Sequence, residues 1–169
     1  MRRPLGLLTA AAALATMAAM ATPVSTAHAV TAPASGAARV GTAQENMVVR
    51  LVNARRAKKG CRALKHHRQL HRAARGHSAD MAEHNYVSST SRDGRSFVDR
   101  IKEAGYTGGT RWAENLAKGQ RTPAAVVQSW MNASGTKATI LDCRLTFIGV
   151  GAAEESGGAI YWTSDFAAE

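Results

Sequence analysis

A chain of 169 residues with a formal charge of +10 and 45% hydrophobic residues has the material for one domain built around one core. Its two cysteines, Cys61 and Cys143, each lack a second cysteine nearby, which argues against a paired-cysteine metal or redox centre. After the N-terminal apolar run, no segment approaches the ~20 consecutive apolar residues that a membrane-spanning helix needs.

The first residues read as a targeting signal. Arg2 and Arg3 supply a positive start, Leu5 to Met20 is apolar and alanine-rich, and Ala27-His28-Ala29 is a small-x-small cleavage sequence. Residues 1–29 are therefore expected to be a signal peptide. The mature protein is expected to be secreted, extracellular and without a transmembrane segment. Residues 30–42, rich in Ala, Thr, Pro and Gly, are expected to form a flexible lead-in, and residues 43–169 the domain. In an oxidising compartment Cys61 and Cys143 are expected to pair, closing a loop of 82 positions.

The first predicted helix runs from Gln44 to Lys59, with Val48, Leu51 and Val52 on one face and Gly60 as its stop. A connector carrying Cys61 and Leu64 leads to a second helix, about Gln69 to Asn85, whose Leu70, Ala74, His77 and Met81 share a narrow arc. His77 therefore points inward. His77, Asp80 and His84 have the spacing of a helical metal-ligand trio, but helical spacing alone generates such trios, and His77 is read as a core histidine bonded to a neighbour. His66, His67 and His71 lie among arginines and are expected at the surface.

A polar loop from Val87 to Gly94 precedes a short helix capped by Ser96, with Phe97, Ile101 and Ala104 inward. After the turn Thr107 to Thr110, Trp112 to Ala117 alternates as a half-buried strand and places the carboxylate Glu114 between Trp112 and Leu116. An unpaired carboxylate there is costly, so a donor, a cation or a water-filled cavity must meet it. Thr122-Pro123 starts another helix that turns Val126, Val127, Trp130 and Met131 inward. A small helical turn, Ala138 to Leu141, and a hairpin of Leu145 to Ala152 with Ala159 to Phe166 complete an α+β domain, whose three short antiparallel strands lie against helices.

Charge is unevenly placed. Between Asn46 and Ala79 there are ten Lys or Arg and no acid, whereas Asp142 to Glu169 holds five acids against Arg144. Such a basic flank suits an anionic lipid, a polyanionic cell-wall polymer or nucleic acid, although a solvated helix face is the plainer reading. Nucleic acid is not the expected partner, because no aromatic residue lies in that stretch to stack on bases.

Several motifs, in order, resemble one family. Val52-Asn53-Ala54-Arg55-Arg56-Ala57, the run Ala74 through Met81, Trp112-Ala113-Glu114-Asn115-Leu116, Val127 through Asn132, and Ile148-Gly149-Val150-Gly151 with Tyr161-Trp162-Thr163 are similar to motifs of the CAP superfamily. That superfamily groups cysteine-rich secretory, antigen 5 and pathogenesis-related proteins, and the chain resembles its short bacterial secreted branch. The resemblance implies an α-β-α sandwich with a surface cleft that, in many members, binds a divalent metal through two histidines and acids. Glu114 matches one acid, but Ser89 and Thr136 stand where the histidines are usual. Hydroxyls bind zinc weakly beside imidazole, so no metal and no other cofactor is expected. Ser89 and Thr136 are instead expected to hydrogen-bond Glu114, with His77, Trp112, Asn115 and Trp130 in structural roles. No catalytic residue is assigned. The expected function is a monomeric, non-enzymatic module that binds a cell-envelope lipid, polymer or extracellular protein. The alternative is a secreted hydrolase, a protease or nuclease, working around Glu114.

Overall fold

The computed structural model describes residues 40–169, with elements in the order α1 (Ala43–Lys59), β1 (Lys65–His66), α2 (Arg68–His84), α3 (Phe97–Glu103), β2 (Arg111–Lys118), α4 (Pro123–Asn132), α5 (Ser134–Ile140), β3 (Phe147–Glu154) and β4 (Ile160–Ala168). The expected signal peptide, and all of the expected lead-in but its last three residues, lie outside the described residues. Four strands form one sheet in the order β1-β3-β4-β2. The β3–β4 hairpin and the β2–β4 pair are antiparallel, as the alternation in sequence suggests. The sheet is nevertheless mixed, because Lys65 and His66 pair in parallel with Phe147 and Ile148.

Period-2 alternation sends the two faces of the sheet to two helical layers. Ile148, Val150, Trp162, Phe166 and Ala168 meet Val48 and Val52 of α1, Val126, Val127 and Trp130 of α4, and Ile140 of α5 in the main core. The opposite face carries two smaller apolar clusters under α2 and α3. Leu70, Ile101, Tyr106 and Ala167 form one, and Met81, Ala82 and Tyr161 the other. The result is an α-β-α sandwich.

Two glycines set the distance of α2 from the sheet. A Cβ at Gly149 would stand 2.1 Å from the backbone of Leu70 and His71, and one at Gly151 would stand 2.3 Å from Arg75 N. Strand positions two apart advance about 6.7 Å and helix positions four apart about 6 Å, so the glycines match successive turns of a helix laid along β3. Ser78 on α2 completes the seam, donating to Gly151 O at 3.1 Å and Thr163 Oγ1 at 2.9 Å.

The Asn53 to Arg56 motif of α1 clamps the chain that follows it. Asn53 bonds both backbone groups of Leu64. Arg56, fully buried, donates to the carbonyls of Arg62, Ile140, Asp142 and Leu145. These bonds draw the connector to the end of α5, where the Cys61–Cys143 disulfide joins the same two segments.

The three histidines expected at the surface are half-buried instead. His66 reaches Asn46 Oδ1 and Val150 N, and His71 Nδ1 lies 2.7 Å from Val150 O. Both turn toward the sheet although their neighbours are arginines. Burial, with the charge of His71 beside it, pulls the His66 imidazole down to about 4.

Candidate functional site

Between the two apolar clusters beneath α2 and α3 lies a polar layer, and Glu114 is part of it. β2 sets Glu114 on the α2 side of the sheet, with its side chain only 2% exposed. Its partner is a cation from α3: Arg100 Nη2 donates to Glu114 Oε2 at 2.6 Å, and Arg100 is itself 5% exposed. The capping box of Ser96 and Asp99 fixes the start of that short helix, which aims Arg100 inward. Its other terminal nitrogen donates to Ser89 O at 2.9 Å, Ser91 Oγ at 3.0 Å and Arg95 O at 3.4 Å, so one guanidinium ties the polar loop to the strand.

A second carboxylate, which sequence reasoning missed, faces the first. Asp165 on β4 is the register partner of Glu114 and is fully buried. Were both ionised, Glu114 Oε1 and both oxygens of Asp165 would lack a donor, and two negative charges would face one positive charge in a sealed layer. One proton held between the two carboxyls supplies the missing donor and neutralises the layer. Burial, then the charge of Glu114, pushes the Asp165 carboxyl well above its ordinary range, and Arg100 only partly offsets this. Asp165 is therefore the protonated member and Glu114 the ion facing Arg100. The carboxyl of Glu114 is also raised by burial, against the opposing charge of Arg100 and hydrogen bonding from Ser89.

The remaining expected site residues divide between this layer and the other face. Ser89, itself exposed, meets the layer through its carbonyl, which accepts from Arg100. Thr136 does not bond Glu114: its hydroxyl donates to Trp130 O at 2.6 Å, and its carbonyl accepts from Asn115 Nδ2 at 3.1 Å. This follows from strand alternation, which turns Asn115 toward α5 and Glu114 away from it. Trp130 Nε1 donates to Leu116 O at 2.9 Å, fastening α4 to β2. Trp112 is half-buried in the cluster beside α3. His77 is 1% exposed and its Nε2 donates to Ser88 O at 2.7 Å, steadying the polar loop. Burial and then the nearby charge of Arg100 pull His77 down to about 4, so it is neutral at physiological pH.

These groups do not fit the metal that the resemblance implies. One oxygen of Glu114 is held by Arg100, the Thr136 hydroxyl is held by Trp130 O, and no group of three or more His, Cys, Asp or Glu among the described residues could hold an ion. Arg100 also lines a pocket of about 290 Å³ with His77, Asp80, Arg95 and Glu103. Arg95 pairs there with Glu103 at 2.5 Å, Asp80 lies 3.0 Å from His84, and Arg72 is held by the Ala104 carbonyl.

Comparison with known proteins places the chain. It is 42% identical over 125 residues to YkwD of Bacillus subtilis, covering 74% of this chain and 47% of that protein. It is 31% identical over 128 residues to the membrane protein YlbC of the same organism, covering 76% and 35%. The chain thus spans less than half the length of these curated relatives. Among solved structures, an extracellular SCP-domain protein from Bacillus anthracis superposes with a TM-score of 0.69 at 26% identity, covering 75% of this chain and 40% of that one. An outer surface protein from Borrelia burgdorferi shares the fold with a TM-score of 0.69 at 18% identity, covering 77% and 96%. No helix among the described residues is long and apolar enough to cross a membrane. The model of the cysteine-rich secretory protein (CAP) family matches residues 49–166, and the chain belongs to that family.

Proposed function

We propose that this protein is exported by a signal peptide at residues 1–29 and acts outside the cell as a non-enzymatic binding domain for an anionic component of the cell envelope. The observation that carries this reading is the occupation of Glu114: its ionised oxygen is committed to Arg100 and the site is sealed from solvent. A hydrolase needs a base in reach of a nucleophile or a water. Here the one nearby imidazole, His77, donates to Ser88 O, and the second carboxyl, Asp165, is fully buried. Export is supported by the N-terminal pattern, by the disulfide and by the extracellular description of the Bacillus anthracis neighbour.

The test is turnover. The exported protein and its Glu114→Gln variant are incubated with peptide, cell-wall and nucleic-acid substrates, and neither is expected to release product. Turnover by the wild type that vanishes in the variant would establish the hydrolase reading instead.

A further inference from the structure

Five exposed cations of this domain stand together at one pole. α1 begins beside Ala152 and Glu154 of β3 and runs back toward β1, while α2 starts at β1 and ends where Ala82 and Glu83 meet Glu154 and Glu155. The turn from α1 into α2 therefore marks one end of the sheet and the β3–β4 turn the other. At the first end, Lys58, Lys59, Arg62, Lys65 and Arg68 are all exposed. None of the five has an ion-pair partner among the described residues. Glu154 and Glu155 cap the opposite end.

A second feature of this pole also favours anions. The N-terminus of α2 opens there without a side-chain cap and without an acid in its first turn, so its partial positive charge adds to that of the cations, with Glu169 near His67 as the opposing charge. Arg62 and Lys65 flank a pocket of about 210 Å³ floored by Thr146 and Phe147, with Glu169 on its rim. The other nearby acid, Asp142, is already bonded by Arg144 at 2.8 Å.

We infer that the Lys58 to Arg68 pole is a docking surface for a flexible polymer with one phosphate per repeat, such as a poly(glycerol phosphate) chain. This deepens the binding reading given above and rests on it. Electrostatics alone admits three polyanions, and the surface chooses among them. The only large hydrophobic side chains exposed among the described residues are Met47 and Val87, which leaves nothing at the pole to insert into a bilayer. No aromatic side chain among the described residues is exposed to stack on bases. A string of cations around a turn, with an uncapped helix start between them, suits a chain that bends to bring successive phosphates to successive cations.

The experiment uses fluorescently labelled poly(glycerol phosphate) and the exported protein across a salt series. It compares a variant with Lys58, Lys59, Arg62, Lys65 and Arg68 changed to Gln against a control with Arg92, Arg121 and Lys137 changed to Gln. Thermal melting checks that both remain folded. The five-residue variant is expected to lose affinity at least ~10-fold at low salt and to flatten the slope of log K against log salt by about 3, while the control shifts affinity less than about twofold. Equal losses in both variants, or no binding by the wild type, would overturn the assignment. So would stronger binding to phosphatidylglycerol vesicles or duplex DNA at equal phosphate concentration, or salt-sensitive self-association without polymer, in which the acidic pole of a second copy is the occupant. Polymer length is read in the same tubes: shortening with binding intact supports the docking surface and overturns the non-catalytic reading, whereas intact polymer without binding does the reverse.

Discussion

Replacing Asp165 by Asn tests the assignment of a proton to the layer under α2. The side chain is fully buried opposite Glu114, and its carboxyl is raised well above the ordinary range by burial and by that neighbour. In the unfolded chain an aspartate gives up its proton near 3.9, whereas in the folded protein Asp165 keeps it. The folded state then binds more protons than the unfolded state above that pH, and stability attributable to Asp165 falls as pH rises, by about 1.4 kcal/mol per pH unit up to its folded pKa. Asparagine mimics the protonated acid in shape and donates to the free oxygen of Glu114, but carries no such slope. Urea unfolding of both proteins at intervals from pH 4 to pH 8 reads the effect of the shared proton, because titrating groups outside the Glu114–Asp165 pair cancel in the difference. The two are expected to differ by less than about 1 kcal/mol near pH 4, and the variant to gain steadily above it. A variant that is equally destabilised at every pH, or that loses ground as pH rises, would show Asp165 ionised in the fold and refute the shared proton.

Three further substitutions probe the frame. Gly151→Ala forces a Cβ to within 2.3 Å of Arg75 N, so α2 must leave the sheet, and the variant is expected to lose cooperative thermal unfolding or soluble expression. Arg56→Met strands four buried or part-buried carbonyls and should cost about 3 to 5 kcal/mol in urea unfolding, well beyond an ordinary surface change. His77, held to about 4 in the fold, charges first in the unfolded chain, so stability is expected to fall by roughly 3 kcal/mol as pH drops from 6.5 to 4. His77→Gln, which can still donate to Ser88 O, should flatten that acid limb, and an unchanged limb would place its cause elsewhere.

Much of the frame is legible in the sequence because it is written in local signals. Thr122-Pro123 and Gly60 mark helix ends where the structure has them, and the alternation of the last two strands gives the hairpin. β1 is not legible: two residues without pattern pair in parallel in a connector that Asn53, Arg56 and the disulfide hold in place. In the site, the need of Glu114 for a partner follows from its apolar neighbours, but the partner does not. Arg100 lies three residues after Phe97 and four before Ala104, on the buried face of its helix, so the position was visible while the contact was not. Asp165 escapes for another reason. Its meeting with Glu114 depends on β2 pairing with β4 across 51 positions (165 − 114), which no local pattern encodes. The half-buried histidines show the same limit, since a run of arginines conceals which of its members turn toward the sheet.

The buried charges, taken together, bear on where a ligand is chosen. Glu45 is matched by Arg75 at 2.9 Å and by the Ala152 amide, Arg56 by carbonyls, Glu114 by Arg100, and Asp165 by its proton. The acids are neutralised in place, whereas the charge of Arg56 is solvated by carbonyls without being cancelled. Most of the remaining positive charge lies at the surface, and Lys58, Lys59, Arg62, Lys65 and Arg68, exposed and without ion-pair partners among the described residues, stand together where α1 turns into α2. Field lines from a low-dielectric body emerge where its charge is uncompensated, so an anion approaching from solution is steered to that pole and not to the sealed layer around Glu114. A cleft with no exposed charge at Glu114 or Asp165 does not select a ligand by charge through those residues. Whatever part the polar layer plays, it is to hold the loop, α3 and β2 in register, while charge selection falls to the basic end of the sandwich.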